Sequence, residues 1–205
     1  MNNSFNGWFY VDEYNLNKVV DLVLTNGTAE TIHSDMWLTP IIGDKNASIS
    51  VLDFGCGVGR NIFDFSQNFP NWKFYGYDNP NMINKAKEYS KIRFNKSIRD
   101  YSNLELISDW DRLKAMKFDC IYATIVFQHI HEKDLNTYLH DIKKMTDRLI
   151  VSGRRFNDDM VNGKYKNTWR ILENNGYYPS NGSDTRYSIE GDPEEHMTCI
   201  YENIV

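Results

Sequence analysis

The sequence predicts an α/β fold, a parallel sheet covered by helices on both faces, and three observations predict it. From Ser48 onward, short apolar, strand-like runs alternate with amphipathic, helix-like runs. The first strand-like run ends in a glycine-rich turn, "DFGCGVGRN", that leads directly into a helix-like run. The length, 205 residues, suits one sizeable hydrophobic core.

The elements follow in order. Residues 1–43 form a helical preface: after the aromatic cluster of Phe5, Trp8, Phe9 and Tyr10, the residues Leu16, Val19, Val20, Val23 and Leu24 recur at helical spacing until Gly27 breaks the pattern. The alternation then runs through strand-like "SISVLDF", helix-like "NIFDFSQNF", strand-like "WKFYGYD", helix-like "PNMINKAKEYSKI" and strand-like "LELISDW". It continues with strand-like "FDCIYATIVF", helix-like "HEKDLNTYLHDIKKM", strand-like "RLIVSGR" and helix-like "YKNTWRILENNG". A final β-rich stretch ends in "HMTCIYENIV", with a turn at Gly191-Asp192-Pro193 before it. We therefore expect a single domain, 1–205: the preface or lid at 1–43, a core at 48–156, and a C-terminal helix and β-hairpin at 157–205.

Composition removes several function classes. No window approaches the about 18 apolar residues of a membrane span, and "MNNSFNGWFY" lacks the basic and apolar regions of a secretory signal. A cytoplasmic protein with no membrane partner is the expectation. The three cysteines, Cys56, Cys120 and Cys199, are far apart, with no C-x-x-C pair and no histidine at ligand spacing, so they read as buried thiols and no metal is expected. A net charge of -5 without a run of Lys or Arg argues against a long grip on nucleic-acid phosphates.

Open parallel sheets bind ligands outside the carboxyl ends of their strands, so the chemistry is sought in the turns after each strand. The glycine turn is neither of two phosphate-binding types. Arg60 stands where the dinucleotide fingerprint G-x-G-x-x-G needs its third glycine, and no Gly-Lys-Ser/Thr follows as in a P-loop. What stands here is an acidic residue, Asp53, followed by G-x-G-x-G. About twenty residues on, Asp78 closes the second strand in "FYGYD", where a carboxylate can accept both ribose hydroxyls of an adenosine. Asp109 and Trp110 close the third strand; an Asp at such a place also reads as a helix cap.

Across residues 48–155 this pattern resembles the class I S-adenosylmethionine-dependent methyltransferases. The resemblance implies a doubly wound, mostly parallel seven-stranded Rossmann-like sheet of order 3-2-1-4-5-7-6, its last two strands an antiparallel hairpin. It implies S-adenosyl-L-methionine as cofactor, held by Asp53, Gly55, Cys56, Gly57, Asp78, Asn79, Asp109, Trp110 and Thr124. In that scheme Asp53 orders the glycine turn and the amino-acid end of the cofactor, and Asp109 faces the adenine edge.

The fourth strand leads into "ATIVFQHIHEKDL", which carries neither the Asx- or Ser-Pro-Pro-aromatic motif of base-amino methylating enzymes nor the Pro-Cys of cytosine C5 enzymes. It resembles the hydrophobic-x-x-His ending of small-molecule methyltransferases, which implies Gln128 and His129 beside the reacting sulfonium. His129 is the catalytic candidate, as a base or as a group that holds an anionic acceptor; its bland reading is a histidine that satisfies a backbone group. His131 begins the next helix. Trp8, Tyr10, Tyr14 and Trp37 are candidates for an aromatic lid, or simply core. Arg154 and Arg155 could receive a substrate carboxylate or phosphate, or be solvated; with Lys164 and Lys166 they form the only loose basic cluster. Glu190, Asp192, Glu194 and Glu195 read as a solvated hairpin tip.

The expected function is methyl transfer to an N or O atom of a small-molecule acceptor. The alternatives are a cofactor-binding regulatory module, an adenosylmethionine-cleaving enzyme on the same fold, and an RNA methyltransferase.

Overall fold

The computed structural model describes residues 46–154, 159–161, 164–180 and 196–202. The preface with Trp8, Tyr10, Tyr14 and Trp37 lies outside the described residues, as do Arg155 and the acidic turn from Glu190 to Glu195. For Arg154, Lys164 and Lys166 the backbone alone is described. The chain divides between Leu113 and Lys114 into two compact units.

The first unit, over its described residues, holds three parallel strands in the order β3-β2-β1: β1 (Ser50–Phe54), β2 (Lys73–Tyr77) and β3 (Leu104–Ile107). Val51 to Phe54 are all buried, as expected of a parallel strand covered on both faces. Helix α1 (Arg60–Asn68) buries Ile62, Phe63 and Phe65, and it ends before Phe69-Pro70, where proline disfavours helical backbone at the residue before it. Its last carbonyls are gathered by one side chain: Asn103 Nδ2 donates to Ser66 O and Phe69 O at 2.9 and 3.1 Å, and to Trp72 O beyond the helix at 3.0 Å. Helix α2 (Pro80–Phe94) starts with proline at its first position and with Asn79 as cap, whose side chain accepts from Met82 N at 2.9 Å. The core between them is aromatic: Phe63 lies 5.2 Å from Tyr101 and 5.8 Å from Phe94, centroid to centroid.

The strand-like run "LELISDW" is shorter as a strand than it reads. β3 stops at Ile107, and Trp110 already begins the four-residue helix α3 (Trp110–Leu113), because Asp109 Oδ1 accepts from Arg112 N at 3.1 Å and starts a helical turn.

The second unit, over its described residues, has β4 (Cys120–Thr124) parallel to β5 (Arg148–Arg154) and β5 antiparallel to β8 (His196–Glu202). The register of the antiparallel pair sets Arg148 opposite Glu202, and their side chains form an ion pair at 2.8 Å. A 3-10 turn (Phe127–His129) joins β4 to α4 (Glu132–Met145). The apolar stripe of α4, Leu135, Leu139, Ile142 and Met145, is wholly buried; each such side chain contributes about 1.5–3 kcal/mol by leaving water.

The predicted order 3-2-1-4-5-7-6 is met within each unit as far as the described strands go. β8 lies antiparallel beside β5, as expected of the last strand; the expected hairpin's other arm, ahead of the turn at Gly191-Asp192-Pro193, lies outside the described residues. The helix-like run "YKNTWRILENNG" needs correction at its start. Lys164–Lys166 is a strand, β7, paired antiparallel with β6 (Asp159–Val161), and α5 runs only over Thr168–Asn174. Asn167 fixes that boundary, since its Oδ1 accepts from Arg170 N at 2.9 Å.

Candidate functional site

The glycine turn closes the carboxyl end of β1, and its amides face inward. Gly55 N and Cys56 N both donate to Tyr77 O, at 2.8 and 2.9 Å, and Gly59 N donates to Cys56 O at 2.9 Å. Gly57 N donates to Asp78 Oδ2 at 2.8 Å. A phosphate cradle works by aiming such N–H groups at the ligand; here these four are already committed. The turn instead offers bare backbone. A methyl group at Gly57 would meet nothing within 4 Å, so a ligand can approach the chain closely there.

Cys56 turns its side chain into the protein, 8% exposed, and burial together with the neighbouring Asp53 and Asp78 pushes its thiol well above the ordinary range. Its side chain is therefore part of the packing under the turn. The space it needs exists because residue 76 has no side chain: a Cβ at Gly76 would lie 3.0 Å from Cys56 Sγ and 2.7 Å from Leu106 Cδ2. Gly76 is a supporting residue that sequence reading did not single out; a glycine inside a strand is the available signal for such close approach.

Asp78 and Asn79 sit at the end of β2, joined directly to the turn. Asp78 closes the strand as the sequence places it, and it is only 3% exposed, because the glycine turn folds over it. Its Oδ1 accepts from Asn79 N at 2.7 Å and from Asn79 Nδ2 at 3.2 Å. Burial raises its pKa from an ordinary 3.8 to about 7, against the opposing pull of the Asn79 and Gly57 N–H donors. Asp53, also 3% exposed, is close enough to hold up the charge of Arg60, whose guanidinium burial otherwise weakens.

A pH dependence follows, and its sign is fixed. The carboxyl of Asp78 titrates higher folded than unfolded, so the stability it contributes is full below about 3.8 and is lost as pH rises toward about 7. A hydroxyl donor from a ligand favours the ionised form, so binding releases a proton when the free protein holds one. Affinity for S-adenosylhomocysteine is expected to rise with pH up to about 7, by at most tenfold per unit, and then level off. Titrations at pH 5.5 to 8.5 check this, and a flat profile contradicts it.

Asp109 is exposed and acts as the cap of α3, so the helix-cap reading holds for one of its oxygens, and no hydrogen bond joins it to the turn. Trp110 is half-buried and does touch the site: its ring lies 5.4 Å from Phe54, edge-on, and 5.0 Å from Tyr77. Those are the residues next to Asp53 on β1 and to Asp78 just past the end of β2. The first unit thus gathers Gly55, Gly57, Asp78 and Asn79 by hydrogen bonds and Trp110 by ring contacts.

Thr124 and His129 belong to the second unit. Thr124, half-buried, ends β4 opposite Ser152. The next residue, Ile125, has φ 57, and its N–H donates to Ser152 O at 2.7 Å. A β-branched side chain in the left-handed region is a strained backbone of the kind that clusters at functional sites. No sequence signal points to Ile125, since its residue type argues against that conformation. Gln128 is buried and His129 half-buried in the turn that follows, with Gln128 Nε2 3.4 Å from His129 Nε2. His131 is the cap residue of α4, as expected.

The fold is similar to that of known proteins. Residues 52–148 match a family model described as a methyltransferase domain. No curated protein sequence matches the chain. Among solved structures, a SAM-dependent methyltransferase from Aquifex aeolicus is similar with a TM-score of 0.64 at 17% identity, covering 94% of this chain and 99% of that one. An O-methyltransferase family protein from Burkholderia thailandensis has a TM-score of 0.64 at 11% identity, covering 95% of this chain and 61% of that one. The magnesium protoporphyrin IX methyltransferase of Synechocystis PCC 6803, solved with bound SAM, has a TM-score of 0.52 at 17% identity, covering 93% and 78%. At such identities the likeness is one of fold, and it joins a family match that spans the glycine turn, Asp78, Asp109 and His129. Over residues 52–148 the chain is similar to a methyltransferase domain, and its fold is similar to that of class I, Rossmann-like, S-adenosylmethionine-dependent methyltransferases.

Proposed function

We propose that this protein transfers the methyl group of S-adenosylmethionine to an N or O atom of a small-molecule acceptor, with residues 1–205 working as one methyltransferase domain in the cytoplasm. The observation that carries the cofactor side is the glycine turn with its amides spent on Tyr77 O and Asp78, which leaves bare backbone at Gly57 and suits a neutral nucleoside better than a pyrophosphate. The cofactor, when bound, supplies a methyl group activated by a sulfonium.

The chain's own residues supply binding and alignment. Asp78 accepts from the ribose, Trp110 and Asp109 border the adenine, and Asp53 and Gly55 shape the amino-acid end. Alignment and exclusion of water do most of the work in an in-line methyl transfer, which needs no protein nucleophile. His129 is the residue for the acceptor: neutral, it takes a proton from a hydroxyl or amine, and charged, it holds an anionic oxygen. Thr124, at the end of β4, borders the cofactor.

The small-molecule acceptor is supported by the net charge of -5 and by the names of structural neighbours, a porphyrin methyltransferase and an O-methyltransferase family protein. Three buried free cysteines suit a reducing compartment. The test is a screen with cofactor labelled on the methyl group, offered metabolite pools, RNA and DNA in parallel. Label in the low-molecular-weight fraction is expected. Label in nucleic acid overturns the acceptor class, and methylthioadenosine released without an acceptor overturns the reaction.

A further inference from the structure

Gly153 lies near the end of β5, buried, and neither of the usual reasons for a glycine applies to it. Its backbone is not left-handed, unlike that of Gly55, Gly57 or Gly59. Nor do its described neighbours crowd it: a Cβ there would lie 3.4 Å from Gln128 Oε1 and 3.7 Å from Trp169 Cζ2, ordinary contact distances, where one at Gly76 would lie 2.7 Å from Leu106 Cδ2. Glycine weakens a strand, and one that its described neighbours do not require marks a place where a ligand comes close to the backbone.

Two side chains border the spot over Gly153. Gln128, 3% exposed, divides its amide between two directions: Nε2 lies 3.4 Å from His129 Nε2, and Oε1 reaches the spot itself. Trp169, half-buried as the second residue of α5, sets Cζ2 of its six-membered ring against the same spot. A floor of bare backbone, an aromatic wall and a buried amide oxygen thus meet, and the other end of that amide faces His129.

We propose that this spot is the acceptor subsite, and that it takes a flat aromatic ring bearing a hydroxyl or amino donor. The inference rests on the methyl-transfer reading and gives its acceptor a chemical class. A flat ring lies close on glycine backbone where a thicker skeleton stands off, and it packs against Trp169 in the offset or edge-on manner of aromatic pairs. The donor on the ring is held by Gln128 Oε1, which selects for it because a buried amide oxygen left without a donor costs binding.

The experiment is a calorimetric titration of the full chain, saturated with S-adenosylhomocysteine, using three probes: 2-naphthol, its methyl ether, which has no donor, and decahydro-2-naphthol, which has the donor but no flat ring. 2-Naphthol is expected to bind, and the other two at least tenfold more weakly. Gly153→Ala, whose methyl group meets only ordinary contacts, is expected to melt as the parent does and to bind S-adenosylhomocysteine within threefold of it, while losing at least tenfold in affinity for 2-naphthol. Trp169→Leu is expected to bring 2-naphthol down to the level of decahydro-2-naphthol, and it keeps the test open should the alanine variant not fold. No binding of 2-naphthol, equal affinity for 2-naphthol and either companion, or undiminished 2-naphthol binding in a folded Gly153→Ala variant overturns the inference and leaves the cofactor reading intact. If S-adenosylhomocysteine itself gives no response, the cofactor reading falls and the inference with it.

Discussion

Asp78→Ala is expected to weaken the binding of S-adenosylhomocysteine by roughly ten- to a hundredfold, about 1.5–3 kcal/mol, the scale of hydrogen bonds to a charged group. Two losses add. The ligand loses its acceptor, and the N–H groups of Gly57 and Asn79 lose the two carboxylate oxygens to which they donate. The fold itself is expected to survive. A buried carboxyl whose pKa stands near 7 weakens the folded state when ionised, so its removal offsets part of the cost of the broken hydrogen bonds. Asp78→Asn keeps one acceptor oxygen and turns an N–H₂ toward a backbone donor, and it is expected to bind about as poorly as alanine. Calorimetry for affinity and thermal melting for the fold check both statements. An unchanged affinity in a folded Asp78→Ala variant removes Asp78 from the site.

The second large effect separates two glycines of one turn. Gly59 has φ 83, and a Cβ there would lie 2.3 Å from Cε2 and 2.8 Å from Cδ2 of Phe63. That ring is fully buried and hemmed in by Phe94 and Tyr101, so it has nowhere to move. Left-handed strain of about 1–2 kcal/mol joins overpacking of about 1–3 kcal/mol, and a total of that order consumes much of a typical domain's stability. Gly57→Ala meets no neighbour and bears only the strain of φ 57, but its methyl group fills the bare stretch where a ligand approaches. Chemical denaturation is expected to show Gly59→Ala severely destabilised and Gly57→Ala within about 1–2 kcal/mol of the parent. S-adenosylhomocysteine titration is expected to show binding lost in the folded Gly57→Ala protein. The reverse ranking contradicts the account of the turn.

The sequence made the alternation of strands and helices legible because buried parallel strands leave apolar runs, and Gly, Pro and Asn punctuate them. "RLIVSGR" is β5 residue for residue, and α2 begins where Asn79-Pro80 says it should. Asp78 was legible as a position, about twenty residues past the turn, but its burial was not. The donor that covers it, Gly57 N, arrives only when the turn folds across from β1 to β2. Gly76 was passed over because its meaning depends on register, which sets it beside Asp53 on one side and Leu106 on the other and leaves room for Cys56. Ile125 had no signal, since its backbone is imposed by the junction after β4 against the preference of its own side chain. Short strands such as β6 and β7, three residues each, carry too few positions for a period-two pattern to show.

The most direct test of the central claim, that this glycine turn serves an adenosyl cofactor and not a dinucleotide, is a pair of calorimetric titrations of the full chain, with S-adenosylhomocysteine and with NAD. Arg60 in place of the third dinucleotide glycine, and the inward amides of Gly55, Cys56, Gly57 and Gly59, predict saturable binding of S-adenosylhomocysteine and no heat with NAD. Measurable NAD affinity with no response to S-adenosylhomocysteine or S-adenosylmethionine contradicts it.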